Sequence, residues 1–364
     1  MKILWITARD LSRDLAKSTE LGIARSLYYR GNTVTLISPG IISFDGITHH
    51  NIKTVRFPGL NTISGARNIR KFLKKKKDEI EENDLLFVDW RYVPSLRVFL
   101  ESTEVPWCIV DRGPPADHGI LKVLQKGFWR RAWEIADKFA TGGFTVSNMH
   151  TEFVRERNGV NMRIFQIPAG SESNAYLENK TDPTDCLRVV YIGRLDKRRG
   201  VEEIIRLSEL LENSERKFRI DIYGEGDLSK SFERYGRKSD TLNYHGVLQS
   251  DSIAKVLARS HVGIMPMPDI TVWRISSPLK LAEYLAAGLM VVGPNHPGNN
   301  IDEECGAIRL SNGEGWPESA MMEMEHELAR GWLGVQESSL ESAESLNWEK
   351  IVSSLEEEIA RWEL

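Results

Sequence analysis

Short apolar runs recur along the chain, separated by polar stretches with helical periodicity. Residues 2–7, 33–38 and 84–89 read as strands, and Thr19 to Arg30 and Arg67 to Glu82 read as helices between them. Strands that alternate with helices predict a parallel sheet rather than hairpins. The pattern runs on through a strand at Trp107 to Val110, a long helix at Ile120 to Phe139, the segment Thr145-Val146-Ser147 and a strand ending at Gln166 to Gly170. From Ser171 to Asp185 the composition turns polar, with Asn174, Asn179, Thr181, Asp182 and Pro183, and predicts an exposed linker. Alternation then restarts with strands at Leu187 to Ile192, Phe218 to Tyr223, Val262 to Met265 and Met290 to Val292. The expected fold class is therefore α/β: a Rossmann-like domain over residues 1–173, a linker over 174–186 and a second Rossmann-like domain over 187–349. No short fixed-period repeat occurs, which excludes a solenoid.

A length of 364 residues allows each of two domains its own core. The three cysteines, Cys108, Cys186 and Cys305, lie far apart, so neither a disulfide framework nor a thiolate zinc site is expected, and a reducing, cytoplasmic setting fits. No apolar stretch approaches the length of a membrane span. Net charge is −4 but divides unevenly: residues 1–175 hold 26 Lys and Arg against 19 Asp and Glu, and the remainder holds 22 against 33. The basic first half suits an anionic partner, a phospholipid leaflet or an anionic acceptor, and equally suits ordinary variation between two surfaces.

The densest signals for chemistry lie in the second half. Ser276-Ser277-Pro278-Leu-Lys280-Leu-Ala-Glu283-Tyr-Leu-Ala-Ala-Gly288 carries the marks of one helix: Ser277 as N-cap, Pro278 at the first position and Gly288 just past the end. Such a helix start attracts anions, and Lys280 adds a full charge. Glu283 shares its face and suits a ribose diol; the alternative is an ordinary surface Lys and Glu pair. A second segment, Leu187 to Gly200, delivers Gly193, Arg194, Asp196, Lys197, Arg198 and Arg199 from an apolar strand into a loop, the usual setting for a diphosphate.

Together these residues resemble the family 4 glycosyltransferases of the GT-B fold. The resemblance rests on Gly193-Arg194-Leu195-Asp196 with Arg198-Arg199-Gly200, on the turn Gly224-Glu225-Gly226 after a strand, on His245-Gly246-Val247, and on the Glu283 helix ending in Ala-Ala-Gly before Met290 to Val292. It implies two Rossmann-like domains facing each other across a cleft and a final helix, residues 350–364, that crosses back to the first domain. It also implies a retaining, metal-independent hexosyltransferase acting on a UDP- or GDP-sugar and on a lipid-linked or cell-envelope glycan acceptor, with no cofactor and no nucleic-acid partner. Arg194 and Arg199 would then hold the diphosphate with the Ser276 to Lys280 tip, Glu283 the ribose, and the backbone near Gly224, Gly246 and Val247 the base. The family often has a further glutamate eight positions before the first; this chain has Ile275 there. No D-x-D sequence occurs, so a metal bridging the diphosphate is not indicated.

In the first half, Asp111, Asp117 and His118 follow the strand at Trp107 to Val110, in the position of a family loop with a histidine near the sugar, and are candidates for acceptor orientation or proton acceptance. Lys122, Lys126 and Arg130 beside Leu121, Leu124, Phe128, Trp129 and Trp133 suit a helix lying at a lipid interface. Lys71 and Lys74 to Lys77 form a second basic cluster. Two other readings remain open: a GT-B nucleotide-sugar epimerase, and a non-catalytic sugar-nucleotide-binding partner protein.

Overall fold

Thirteen short strands and fourteen helices make up the described parts of the chain; the computed structural model describes residues 1–12, 17–55, 60–115, 122–172, 183–301, 303–313 and 315–362. In the first domain the order is β1 (Lys2–Ile6), α1 (Lys17–Tyr29), β2 (Thr33–Ser38), β3 (Ile47–Asn51), α2 (Leu60–Lys75), α3 (Lys77–Glu81), β4 (Leu85–Asp89), α4 (Val93–Ser102), β5 (Trp107–Val110), α5 (Lys122–Phe139), β6 (Gly142–Thr145), α6 (Asn148–Asn158) and β7 (Ile164–Gln166). The strands form one sheet in the order β3-β2-β1-β4-β5-β6-β7, and every pairing is parallel. Central strands of such a sheet are covered on both faces and must be apolar throughout. Accordingly all five residues of Leu85–Asp89 are buried.

The second domain continues with β8 (Leu187–Ile192), α7 (Glu203–Glu212), β9 (Phe218–Tyr223), α8 (Ser229–Gly236), β10 (Leu242–Tyr244), α9 (Ser250–Ala258), β11 (Val262–Ile264), α10 (Thr271–Arg274), α11 (Leu279–Ala286), β12 (Met290–Pro294), β13 (Ile308–Ser311), α12 (Trp316–Arg330) and α13 (Leu333–Ala343). Its six strands are again parallel, in the order β10-β9-β8-β11-β12-β13. Both sheets reverse strand order beside their first strand, between β1 and β4 and between β8 and β11. The crevice outside the carboxyl ends at such a reversal is where open α/β sheets bind ligands.

The final helix, α14 (Trp348–Ala360), belongs to the first domain, which comprises residues 1–168 and 348–364; the second comprises 169–347. α14 packs on α1. Gly22 makes this possible: a Cβ there would lie 2.5 Å from Cε2 of Trp348. The Ser26 hydroxyl donates to the Trp348 carbonyl at 3.2 Å, and Arg30 pairs with Glu356 at 2.6 Å. The division falls a few residues before the expected one because Ser171 is already tied to the second domain, pairing with Asn347 and donating its N–H to Leu346 at 2.9 Å. Residues 173–182 of the expected linker lie outside the described residues.

Three local expectations need correction. The helix read over Arg67 to Glu82 starts earlier, at Leu60, and breaks at Lys76, where the backbone leaves helical geometry. Ser277 does not cap α11. Its Oγ accepts the Ala169 N–H at 2.8 Å, so the helix starts one residue later, with Pro278 in the extended N-cap conformation. Gly288 does end it, at φ +67°, and the Leu289 N–H reaches back to the Tyr284 carbonyl as in a Schellman turn. Lastly, Trp129 and Trp133 of α5 are buried and not interfacial.

Candidate functional site

The loop after β8 and the start of α11 meet at the β8/β11 reversal. Contact is close at Gly193, where a Cβ would lie 2.5 Å from Lys280 Cε and 2.8 Å from its Nζ. The Lys280 ammonium thus lies against the backbone of the loop that carries Arg194 to Arg199, and it sits 6.0 Å from the centre of the Tyr191 ring. Burial pushes the Lys280 pKa below the lysine range and the neighbouring Arg199 charge pushes it the same way, while Glu283 opposes both. Burial likewise raises Glu283, with Lys280 opposing. Two cations held together at the expense of one of them form a site short of negative charge, which an arriving anion would supply.

The two arginines expected at the diphosphate differ in setting. Arg194 forks onto Asp196, with contacts of 3.0 Å and 2.9 Å, and Asp196 is held below the usual carboxylate range by that hydrogen bond. Arg199 lies 3.9 Å from the same carboxylate, and its guanidinium stacks on the Trp273 ring at 4.8 Å. Trp273 also donates its indole N–H to the Arg198 carbonyl at 3.1 Å and accepts the Ser276 hydroxyl on its own carbonyl at 2.7 Å. One aromatic plate therefore fixes the turn at residues 197–199 and the segment leading to α11. Nothing in the local sequence marks Trp273 for this, because its partners lie some 75 residues away.

Gly224 and Gly226 serve a different purpose from cradling a phosphate. A Cβ on Gly224, at φ +134°, would lie 1.8 Å from the Gly193 carbonyl oxygen, and one on Gly226 would lie 2.5 Å from the Leu195 carbonyl carbon. The Gly224 N–H is used by the Gly246 carbonyl at 2.7 Å. The glycines let the loop after β9 press its backbone onto the loop after β8. At the same end, His245 stacks on Tyr223 at 4.6 Å and meets Asp221 at 2.6 Å, beside Gly246 at φ +71° and the exposed Val247. A flat aromatic face next to an exposed apolar side chain suits a nucleobase. Ile275 is buried and offers nothing polar.

Residues 186–319 match the family of glycosyl transferases group 1. Solved structures extend the likeness to the whole chain. Sucrose-phosphate synthase from Thermosynechococcus elongatus superposes with a TM-score of 0.78 at 14% identity, covering 99% of this chain and 98% of that one. Anabaena HepE, in complex with UDP and glucose, gives 0.71 at 14% identity, with 99% of each chain covered. WaaG, a glycosyltransferase involved in lipopolysaccharide biosynthesis, gives 0.71 at 11% identity over 97% of this chain and 98% of that one. At such identities the likeness is one of fold, and the fold is GT-B with two Rossmann-like domains. No curated protein matches the sequence.

In the first domain the candidates separate. Asp117 and His118 lie outside the described residues. Asp111 is fully buried at the end of β5, where Oδ2 accepts the indole N–H of Trp129 at 2.6 Å and of Trp133 at 3.0 Å, and Oδ1 accepts the Gly113 N–H at 3.1 Å. Its hydrogen-bonding capacity is spent on tying α5 to the sheet, which also explains why the two tryptophans turn inward. The first two turns of α5 keep Val123, Leu124 and Phe128 exposed. Among the described residues, no helix is long and apolar enough to cross a membrane. Glu323, His326 and Glu327 of α12 come close enough together to suggest a cation, but Arg309 pairs with both glutamates, at 3.2 Å and 3.0 Å.

Proposed function

We propose that the protein is a retaining hexosyltransferase that moves a hexose from a UDP- or GDP-sugar to a lipid-linked or cell-envelope glycan acceptor, without a metal ion or cofactor. The observation that carries this is the pairing of Lys280 and Arg199 at the β8/β11 reversal, two cations that mutual repulsion and burial leave in need of a diphosphate. The acceptor hydroxyl oxygen bonds to the sugar C1 as the bond from C1 to the diphosphate oxygen breaks, on the same face, and the hydroxyl proton leaves with the diphosphate. Charge growing on the departing diphosphate is balanced by Lys280, Arg199 and the start of α11. Glu283, in its ionised form, accepts the ribose hydroxyls, and the Tyr223, His245 and Val247 face takes the base. The complex of HepE with UDP and glucose supports a UDP-sugar donor on this fold.

Incubating the chain with UDP- and GDP-hexoses and an acceptor mixture, and measuring free nucleoside diphosphate, tests the reading. Release of one nucleotide that is unchanged by a chelator and lost in Arg199→Ala is the expected result. Nucleotide binding by thermal shift without any release would instead support a non-catalytic binder.

The exposed Val123, Leu124 and Phe128 of α5, beside Lys126 and Arg130, support a second element of the reading: a cytoplasmic protein resting on an anionic membrane face. The chain is expected to float with anionic liposomes at low salt and to stop doing so in the Val123→Asp, Leu124→Asp double variant. Flotation that the variant leaves intact sinks this docking surface.

A further inference from the structure

The first domain holds a second group of charges that the donor site does not use. At the β1/β4 reversal the carboxyl ends of β1, β4 and β5 lie side by side, and each is followed by an arginine: Arg9, Arg91 and Arg112. Carboxylates among them are Glu20 on α1, Asp89 at the end of β4 and Asp111 after β5. Most of these are spoken for. Asp89 accepts the Ala8 and Arg91 N–H groups and pairs with the Arg91 guanidinium at 2.8 Å, while Asp111 serves the two indoles.

What remains is Arg9, Arg112 and Glu20. Arg9 meets Glu20 at 3.0 Å, and Arg112 donates to the Ile167 carbonyl. Glu20 is 2% exposed, and its Oε2 lacks a hydrogen-bond partner among the described residues. Two guanidiniums therefore share one carboxylate that is itself half used. The groups facing Glu20 are Thr7 and Arg9 from the loop after β1, Asp89 from β4 and Arg112 from β5. Burial pushes its carboxyl up to about 7, against the pull of Arg9 and with a further rise from Asp89. Burial, and then Arg9, lower Arg112 to about 10, a cost that marks the repulsion between the two cations.

We propose that Arg9 and Arg112 bind an anionic group, phosphate or carboxylate, of the sugar acceptor, and that Glu20 releases Arg9 to it by taking up a proton from solvent. The word acceptor rests on the transferase reading above; the oxyanion site does not. A negative charge beside Arg9 disfavours an ionised Glu20 at the same place, so binding and protonation are coupled. Glu20 is charged above about 7 and then competes for Arg9, so affinity is high below that pH and falls as pH rises through it.

Calorimetric titration of the full chain tests this, carried out on a Lys280→Ala background so that the donor site does not take up the probe. Inorganic phosphate, a hexose phosphate and glucuronate separate the two anion chemistries. Sulfate, whose charge is constant over the range, reads the pH dependence. Sulfate affinity is expected to fall by up to about tenfold per pH unit above neutrality. Glu20→Gln should bind at alkaline pH as well as it does at acid pH, and Arg9→Gln should not bind. Whichever of the hexose phosphate and glucuronate binds more tightly identifies the acceptor chemistry. The proposal is overturned if no probe binds at acid pH, if Arg9→Gln binds as the parent does, or if Glu20→Gln keeps the pH slope. Oxyanion binding without nucleotide release in the unmodified donor site would sink the transferase reading and leave the site standing. Circular dichroism of both variants separates lost binding from lost folding.

Discussion

Replacing Lys280 by alanine is expected to lower the rate of donor cleavage by about a hundredfold to a thousandfold, the usual effect of removing one group that stabilises developing negative charge. The reason lies in its surroundings. The ammonium is pressed against the Gly193 backbone and shares its environment with Arg199, so no other cation can move in to replace it. A charge that is costly in the free protein and relieved by a diphosphate gains more in the transition state, where the leaving group is more negative than in the substrate. The pH profile carries the same information with a definite sign. Burial and Arg199 depress the Lys280 pKa, so its charge, and with it kcat/KM, is lost on the alkaline side at a lower pH than for an ordinary lysine. Burial raises Glu283, so the ribose acceptor is lost on the acid side at a higher pH than for an ordinary glutamate. A narrow bell around neutrality follows. Lys280→Arg should be slower than the parent because the planar fork does not fit a point-charge site, but it should abolish the alkaline limb. An alkaline limb that survives in Lys280→Arg would assign that titration to another group.

Gly224→Ala should destabilise the second domain by roughly 3–5 kcal/mol, combining the strain of a left-side backbone angle with a steric collision. At φ +134° the new Cβ would lie 1.8 Å from the Gly193 carbonyl oxygen, a backbone atom that cannot rotate away. Gly246→Ala provides the comparison. It too has positive φ, at +71°, but a Cβ there meets nothing within 4 Å, so only the conformational cost of roughly 1 kcal/mol applies. Urea unfolding of both variants reads the difference. Equal destabilisation would mean that the two loops do not depend on each other's backbone, contrary to the geometry described here.

These two residues also show where the sequence is informative and where it is silent. The alternation of apolar and polar runs located nearly every strand to within a residue or two, since a buried parallel strand such as Leu85–Asp89 has no choice but to be apolar. Lys280 and Glu283 were legible because helix spacing alone places them on one face. Ser277 misled, since an N-cap preference is worth little against a tertiary partner, here the Ala169 N–H. Trp129 and Trp133 misled for a related reason: periodicity tells which residues share a face but not whether that face meets a lipid or an acid such as Asp111. Trp273 under Arg199, and Glu20 between Arg9 and Arg112, were invisible, because each acquires its meaning only from chain segments brought in by the fold.

The docking of α14 onto α1 through Trp348 and Gly22 bears on the order in which the molecule can be built. Residues 348–362 leave the ribosome only after all of the second domain, yet they cover α1, made near the beginning. The amino-terminal domain therefore waits with one flank uncovered throughout synthesis of its neighbour, while the neighbour, inserted as one continuous segment, can fold first and alone. For this chain, the half that is translated first is the half that is finished last.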